Sequence, residues 1–103
     1  MEMKCNIRLM KHQIEMINST IGYDSEIVEE LSRLIGEIER DVQKYNVYYS
    51  HLGIAARIAI EAARVGIVAI YGNSANREAV ANDAFSLYKV AENALNRYCG
   101  LAK

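Results

Sequence analysis

At 103 residues, 51% of them hydrophobic, the chain has the size of one domain and enough apolar side chains for a single core without metal or disulfide help. Twelve Lys and Arg against thirteen Asp and Glu leave a formal charge of -1, which excludes a global field that would draw the chain to nucleic acid or anionic lipid. The absence of proline and the sparse glycine remove the usual punctuation of β-hairpins and linkers and favour an all-α fold.

From Met3 the apolar positions run Met3, Ile7, Met10, Ile14 and Ile17, with Lys4, Arg8, Lys11 and Glu15 off that stripe. This three-four spacing predicts a first helix. Gly22 is a plausible stop and Asp24 or Ser25 a plausible N-cap. Ile27, Leu31, Leu34, Ile38, Val42 and Tyr45 then repeat the period as a second helix. A third helix is expected over about Leu52 to Tyr71, closed by Gly72. Asn73 or Ser74 can cap a fourth, whose seam reads Val80, Ala84, Leu87, Ala91, Leu95 and Tyr98. The expected fold is an all-α, up-and-down helical bundle of about four helices, one domain spanning residues 1–103, with helices 2 and 3 either separate or joined as one long kinked helix.

Wheel arithmetic locates the difficult junction, "YNVYYSHLG". At about 100° per residue, Glu26, Glu30, Glu37, Asp41 and Lys44 share one narrow arc of the second helix. Carried forward unbroken, Arg57, Glu61 and Arg64 would sit about 130° from that arc, so a break or kink between Tyr45 and Gly53 is expected.

The third helix, "HLGIAARIAIEAARVGIVAIYG", is long enough to raise the question of lipid. Its eight Leu, Ile and Val residues between Leu52 and Tyr71 each favour insertion by about 0.3 to 0.6 kcal/mol, whereas a mid-helix arginine opposes it by about 2.5 to 3.5 kcal/mol. Arg57, Glu61 and Arg64 therefore exclude a membrane span. With two cysteines, too few for a secreted disulfide scaffold, and no continuous apolar signal region, a cytoplasmic location is expected.

No alanine precedes residue 55, and small residues then crowd the third helix. Ala55, Ala59, Ala62 and Gly66 let another helix approach closely, which predicts either a tight helical hairpin or a tight self-contact. Four short helices do not easily enclose the third, with Arg57, Glu61 and Arg64 as its one narrow wet stripe. A second copy, or another helical protein, is therefore expected to cover those four small residues.

The chemistry-bearing residues form no strong constellation. Tyr45, Tyr48 and Tyr49 cluster beside His51 at the junction, a pattern suited to a partner surface or the mouth of a small pocket. The run "SEIVEELSRLIGEIERD", through its pair Glu26 and Glu29, resembles the acidic helix of all-α nucleotide pyrophosphohydrolases of the MazG type, where acidic pairs on neighbouring helices hold magnesium. The chain departs from that pattern at the second pair, since Glu37 leads to Arg40 and Glu78 to Ala81. His51 is faintly similar to the histidine of phosphotransfer bundles but lacks the flanking motifs. No family is assigned on these residues.

Cys5, Cys99, His12 and His51 are too scattered for zinc, and neither metal nor cofactor is expected. Lys4, Arg8, Lys11 and His12 make a poor phosphate footprint, so nucleic acid is a third-ranked partner. The sequence points first to a non-enzymatic helical interaction or assembly module that self-associates. The alternative is a small nucleotide-handling or phosphotransfer enzyme using the second helix's carboxylates or His51. An up-and-down bundle would bring Cys5 and Cys99 to one end.

Overall fold

The computed structural model describes residues 2–20, 23–47, 49–72 and 74–101. Among them it contains α1 (Glu2–Met16), continued by a single 3₁₀ turn (Ile17–Ser19), then α2 (Ser25–Lys44), α3 (His51–Tyr71) and α4 (Ser74–Leu101), and no strand. Gly22 as a stop, Asn73 as a cap and Tyr48 as a site residue lie outside the described residues.

Local chemistry sets most of the boundaries. Asp24 opens α2, its Oδ1 accepting the backbone N–H groups of Glu26 at 3.0 Å and Ile27 at 3.2 Å, which satisfies two of the helix's orphan donors. The same helix closes on a left-handed residue. Asn46 adopts φ 52°, its N–H bonds to the Gln43 carbonyl, and the Val47 N–H reaches back to the Val42 carbonyl, each at 3.2 Å. This is the Schellman arrangement, with asparagine in the place glycine most often takes. Ser50 then starts α3, accepting from the Gly53 N–H at 3.0 Å while donating to the Val47 carbonyl at 2.6 Å. Helices α2 and α3 are therefore separate, and the break falls within the expected segment.

Cross-links between helices show that each runs antiparallel to its chain neighbour and that α1 runs antiparallel to α4. Asn6 near the start of α1 donates to Glu37 in the second half of α2. Leu31 lies beside Gly66, Glu39 faces Arg64 and Val42 shares a groove with Ile60. Gly66 lies beside Ala84, while Ile58 shares a groove with Leu87. Ile7 meets Tyr88, while Ile17 meets Arg77 near the start of α4. The result is the up-and-down bundle. At 28 residues α4 is about 42 Å long, and the molecule's extents of 42 × 21 × 18 Å show that this helix sets its length.

One core joins all four helices. The stripes of α1 and α2 are buried as their spacing predicts: Met3, Ile7, Met10, Ile14 and Ile17 from the first, Ile27, Leu31, Leu34, Ile38 and Val42 from the second. Tyr45 falls past the end of α2 and is exposed, because the helix stops one residue short of it.

Two expectations are corrected. The first concerns the small face of α3. Ala55, Ala59 and Ala62 have no solvent exposure within the single chain, and Gly66 is also buried. A Cβ on Gly66 would stand 3.0 Å from Ile17 Cδ1, 3.6 Å from Leu31 Cδ1 and 3.9 Å from Ala84 Cβ, so the other helices of the same chain already occupy that face. A second copy is not needed there. The physical reason is that α4 brings small residues of its own, Ala81, Ala84 and Ala91, and two such surfaces approach closely enough to form the tight hairpin.

The second concerns the rotation of α4. Its buried seam is Ala81, Ala84, Tyr88, Ala91 and Leu95, whereas Val80, Leu87 and Tyr98 are only half-buried. Tyr88 takes the core position that Leu87 was expected to hold. Its ring is fully buried because its hydroxyl finds a buried acceptor, the Ile7 carbonyl, at 2.9 Å.

Candidate functional site

With its small face enclosed, α3 leaves one sector uncovered. Around Glu61, wheel positions at about 100° per residue place Ile54 and Val68 within about 20° on either side. Arg57 and Arg64 then fall toward one edge, and Ile58 and Val65 toward the other. The structure gives these edges different neighbours. Arg64 lies against α2, with Nη2 3.7 Å from Glu39 Oε1 and Nη1 2.7 Å from Glu61 Oε1. On that side a shallow groove of about 440 Å³ is floored by Val42 and Ile60 and walled by Glu39, Gln43, Arg57, Glu61 and Arg64. On the α4 side a second groove, of about 400 Å³, is lined by Ile54, Ile58 and Leu87 together with Arg57 and Glu61.

Large apolar side chains stand in water along this sector. Ile54 is 38% exposed, Val68 61% and Tyr71 66%. Tyr71 extends the surface to α2 by meeting Tyr23 across the bundle end, ring centroids 5.2 Å apart and hydroxyls 3.5 Å apart. That hydrogen bond, more than burial, holds the Tyr23 phenol above its ordinary pKa. Sequence reasoning saw Arg57, Glu61 and Arg64 as the whole wet stripe and missed Ile54, Val68, Tyr71 and Tyr23. The signal was present for two of them, since Ile54 and Val68 share the wheel sector of Glu61.

The tyrosine cluster is not assembled into a pocket among the described residues. Tyr45 is 45% exposed, with the Lys44 ammonium 5.4 Å from its ring centre, and Tyr49 is 88% exposed. His51 is exposed in the first turn of α3, and neither it nor these tyrosines line the grooves beside α3.

Three carboxylates of α2, Glu30, Glu37 and Glu39, are engaged with cations or an amide. Arg33 pairs with Glu30 and, at 2.9 Å, with Glu37, whose other oxygen accepts from Asn6 Nδ2 at 3.1 Å. The hydrogen bonds from Arg33 hold the Glu30 carboxyl below the ordinary range. Among the described residues no group of three or more His, Cys, Asp or Glu side chains is placed to hold a metal ion, and no helix is long and apolar enough to cross a membrane.

Cys99 and the start of α1 do share one end of the bundle, where Arg8 Nη2 approaches Cys99 Sγ at 3.8 Å. Cys5 is exposed and lies one turn before Arg8, about 60° from it around α1, and both cysteines are free thiols.

Compared with known proteins, the chain matches no family model, no curated protein and no solved structure.

Proposed function

We propose that the protein is a non-enzymatic helical interaction module of the cytoplasm that self-associates through the outer sector of α3. The observation that carries this reading is the row of exposed apolar side chains Ile54, Val68 and Tyr71, standing beside half-buried Ile58, Val65 and Leu87. Single exposed apolar residues are ordinary, but several on one sector of a helix, set on either side of Glu61 and bordered by charge, suit a partner surface. The small-residue face that first pointed to a second copy is spent inside the bundle, and the outer sector takes over that role.

Sedimentation equilibrium over a concentration series tests the proposal. A mass rising from 11.6 kDa toward twice that value is expected, and Val68→Lys with Ile54→Lys should return the chain to monomer while preserving its helical circular dichroism. A parent chain that stayed monomeric up to roughly millimolar concentration, the weak limit of useful affinity, would overturn it.

A further inference from the structure

The outer sector of α3 is charged toward α2, where Glu39 and Arg64 stand, and more apolar toward α4, where Ile54, Ile58 and Leu87 line a groove bordered by Arg57 and Glu61, and this asymmetry restricts how two copies can meet. In a parallel pairing, with the two-fold axis along the helices, the charged edge of one copy faces the apolar edge of the other. Arg57 and Arg64 would then be pressed onto the partner's Ile58 and Val65, desolvating guanidinium groups against side chains that offer them no acceptor. In an antiparallel pairing, with the two-fold axis perpendicular to the helices, each edge faces its own kind. Ile58 and Leu87 meet the same residues of the other copy, and Arg57 and Arg64 meet an edge that also carries Glu39 and Glu61.

Position along the helix locates the axis of such a pairing. Ile54 and Val68 are each seven residues from Glu61, so reversal about Glu61 sets Ile54 level with the partner's Val68. Arg57 lies about 6 Å along the axis on one side of Glu61 and Arg64 about 4.5 Å on the other. Because Glu39 sits beside Arg64, reversal brings Arg57 to the level of the partner's Glu39. Across the dimer the four arginines share an edge with the two Glu39 carboxylates, and the two Glu61 carboxylates meet at the axis, each already paired with its own Arg64 at 2.7 Å.

We infer that the second copy binds with its α3 antiparallel to the first, about a two-fold axis at Glu61, joining the Ile58 and Leu87 edges to each other and setting Arg57 against the partner's Glu39. The inference rests on the self-association reading and adds the orientation. A face built from one helix and its flanking edges is small beside specific interfaces, whose lower limit is about 1,200 Å² in total, so the dimer is concentration-dependent.

Nitroxide labels test the orientation. In a background carrying Cys5→Ser and Cys99→Ser, single labels are placed at Ile54→Cys, Glu61→Cys or Val68→Cys, all exposed positions. The antiparallel dimer gives its shortest label-to-label distance at residue 61, with an added axial separation of about 21 Å at residues 54 and 68. A mixed sample labelled at 54 on one copy and at 68 on the other gives a short distance again. Equal short distances at all three sites in a dimeric sample would mean a parallel pairing and would overturn the orientation alone. Long distances at all three sites in a dimer would remove the interface from α3, and a monomeric mass of the unlabelled parent chain would overturn the self-association reading with it.

Discussion

The Tyr88 hydroxyl donates to the Ile7 carbonyl at 2.9 Å from a ring with no solvent exposure, tying the middle of α4 to the first half of α1. Removing the hydroxyl loses one buried hydrogen bond while keeping the ring's packing. Tyr88→Phe is expected to destabilise by about 1 kcal/mol, whereas Tyr88→Ala should lose about 3 to 5 kcal/mol because a cavity remains. Denaturant midpoints at unchanged m-value measure both.

The same residue gives the fold an alkaline limit. Burial pushes the Tyr88 phenol up to about 12 from the ordinary value of 10.0. The folded state thus favours the neutral form. This contribution is fully present below about pH 10 and is lost as pH rises from about 10 to 12, on the order of 2 kcal/mol in all. Tyr23 adds to the same limb with the same sign, since its phenol is also held up. The difference between parent and Tyr88→Phe isolates Tyr88: stability measured from pH 9 to 12 should fall more steeply in the parent, and parallel curves would contradict the assignment.

Gly66 tests the enclosure of the small face. In Gly66→Ala the new methyl meets Ile17 Cδ1 at 3.0 Å, a flexible tip that can yield, and gains about 1 kcal/mol of helix propensity. The net change should stay within about 1 kcal/mol. Gly66→Leu has no such room and should cost about 1 to 3 kcal/mol or more by overpacking. Thermal melts decide it, since a leucine variant melting like the parent would mean the face is open.

Asn46 carries the turn that separates α2 from α3. Asn46→Gly relieves the left-handed strain and should stabilise by up to about 1 kcal/mol, while Asn46→Val should lose about 1 to 2 kcal/mol. Equal melting temperatures for the two variants would show that the turn does not need a residue at positive φ.

Arg77 closes the far end of α1. Arg77 is 8% exposed, and its guanidinium donates to the Ile17 carbonyl at 3.2 Å and to the Thr20 hydroxyl, so a cation caps the end of the 3₁₀ turn. Arg77→Met should cost about 2 to 3 kcal/mol by leaving buried acceptors unmet. Hydrogen exchange localises the effect: amides at the end of α1 should lose protection before those in the middle of α3.

The carboxylates of α2 should be dispensable. Glu26→Gln, Glu30→Gln and Glu37→Gln combined are expected to change stability by no more than about 1 kcal/mol, because the ion pairs of Arg33 are largely in water and the Asn6 contact survives in the amide. A magnesium-dependent nucleotide hydrolysis present in the parent and lost in this variant would instead give them a catalytic role.

Local signals carried much of the architecture. The stripes of α1 and α2 are rows of large apolar residues on otherwise polar helices, so each has a single rotation that buries its apolar face. Asp24 before a periodic run marks a helix start, and the mismatch of polar faces across Tyr45 to Gly53 marks a break. These features depend on residues within a few turns of one another. What the sequence by itself determined was four amphipathic or small-residue helices and where they stop.

Only the tertiary structure decided how α3 and α4 are turned and what covers them. Small residues lie on most sides of α3, and alanine and leucine alternatives on α4 differ little in apolar content, so neither helix has one rotation that its own pattern strongly prefers. Tyr88 displaced Leu87 from the core because a carbonyl on α1, 81 residues away in the chain, accepts its hydroxyl. Ala55, Ala59, Ala62 and Gly66 became interior because α1, α2 and α4 together fit around them, leaving Ile54, Val68 and Tyr71 outside. The shapes of facing surfaces set those choices, and a single helix's periodicity does not contain them.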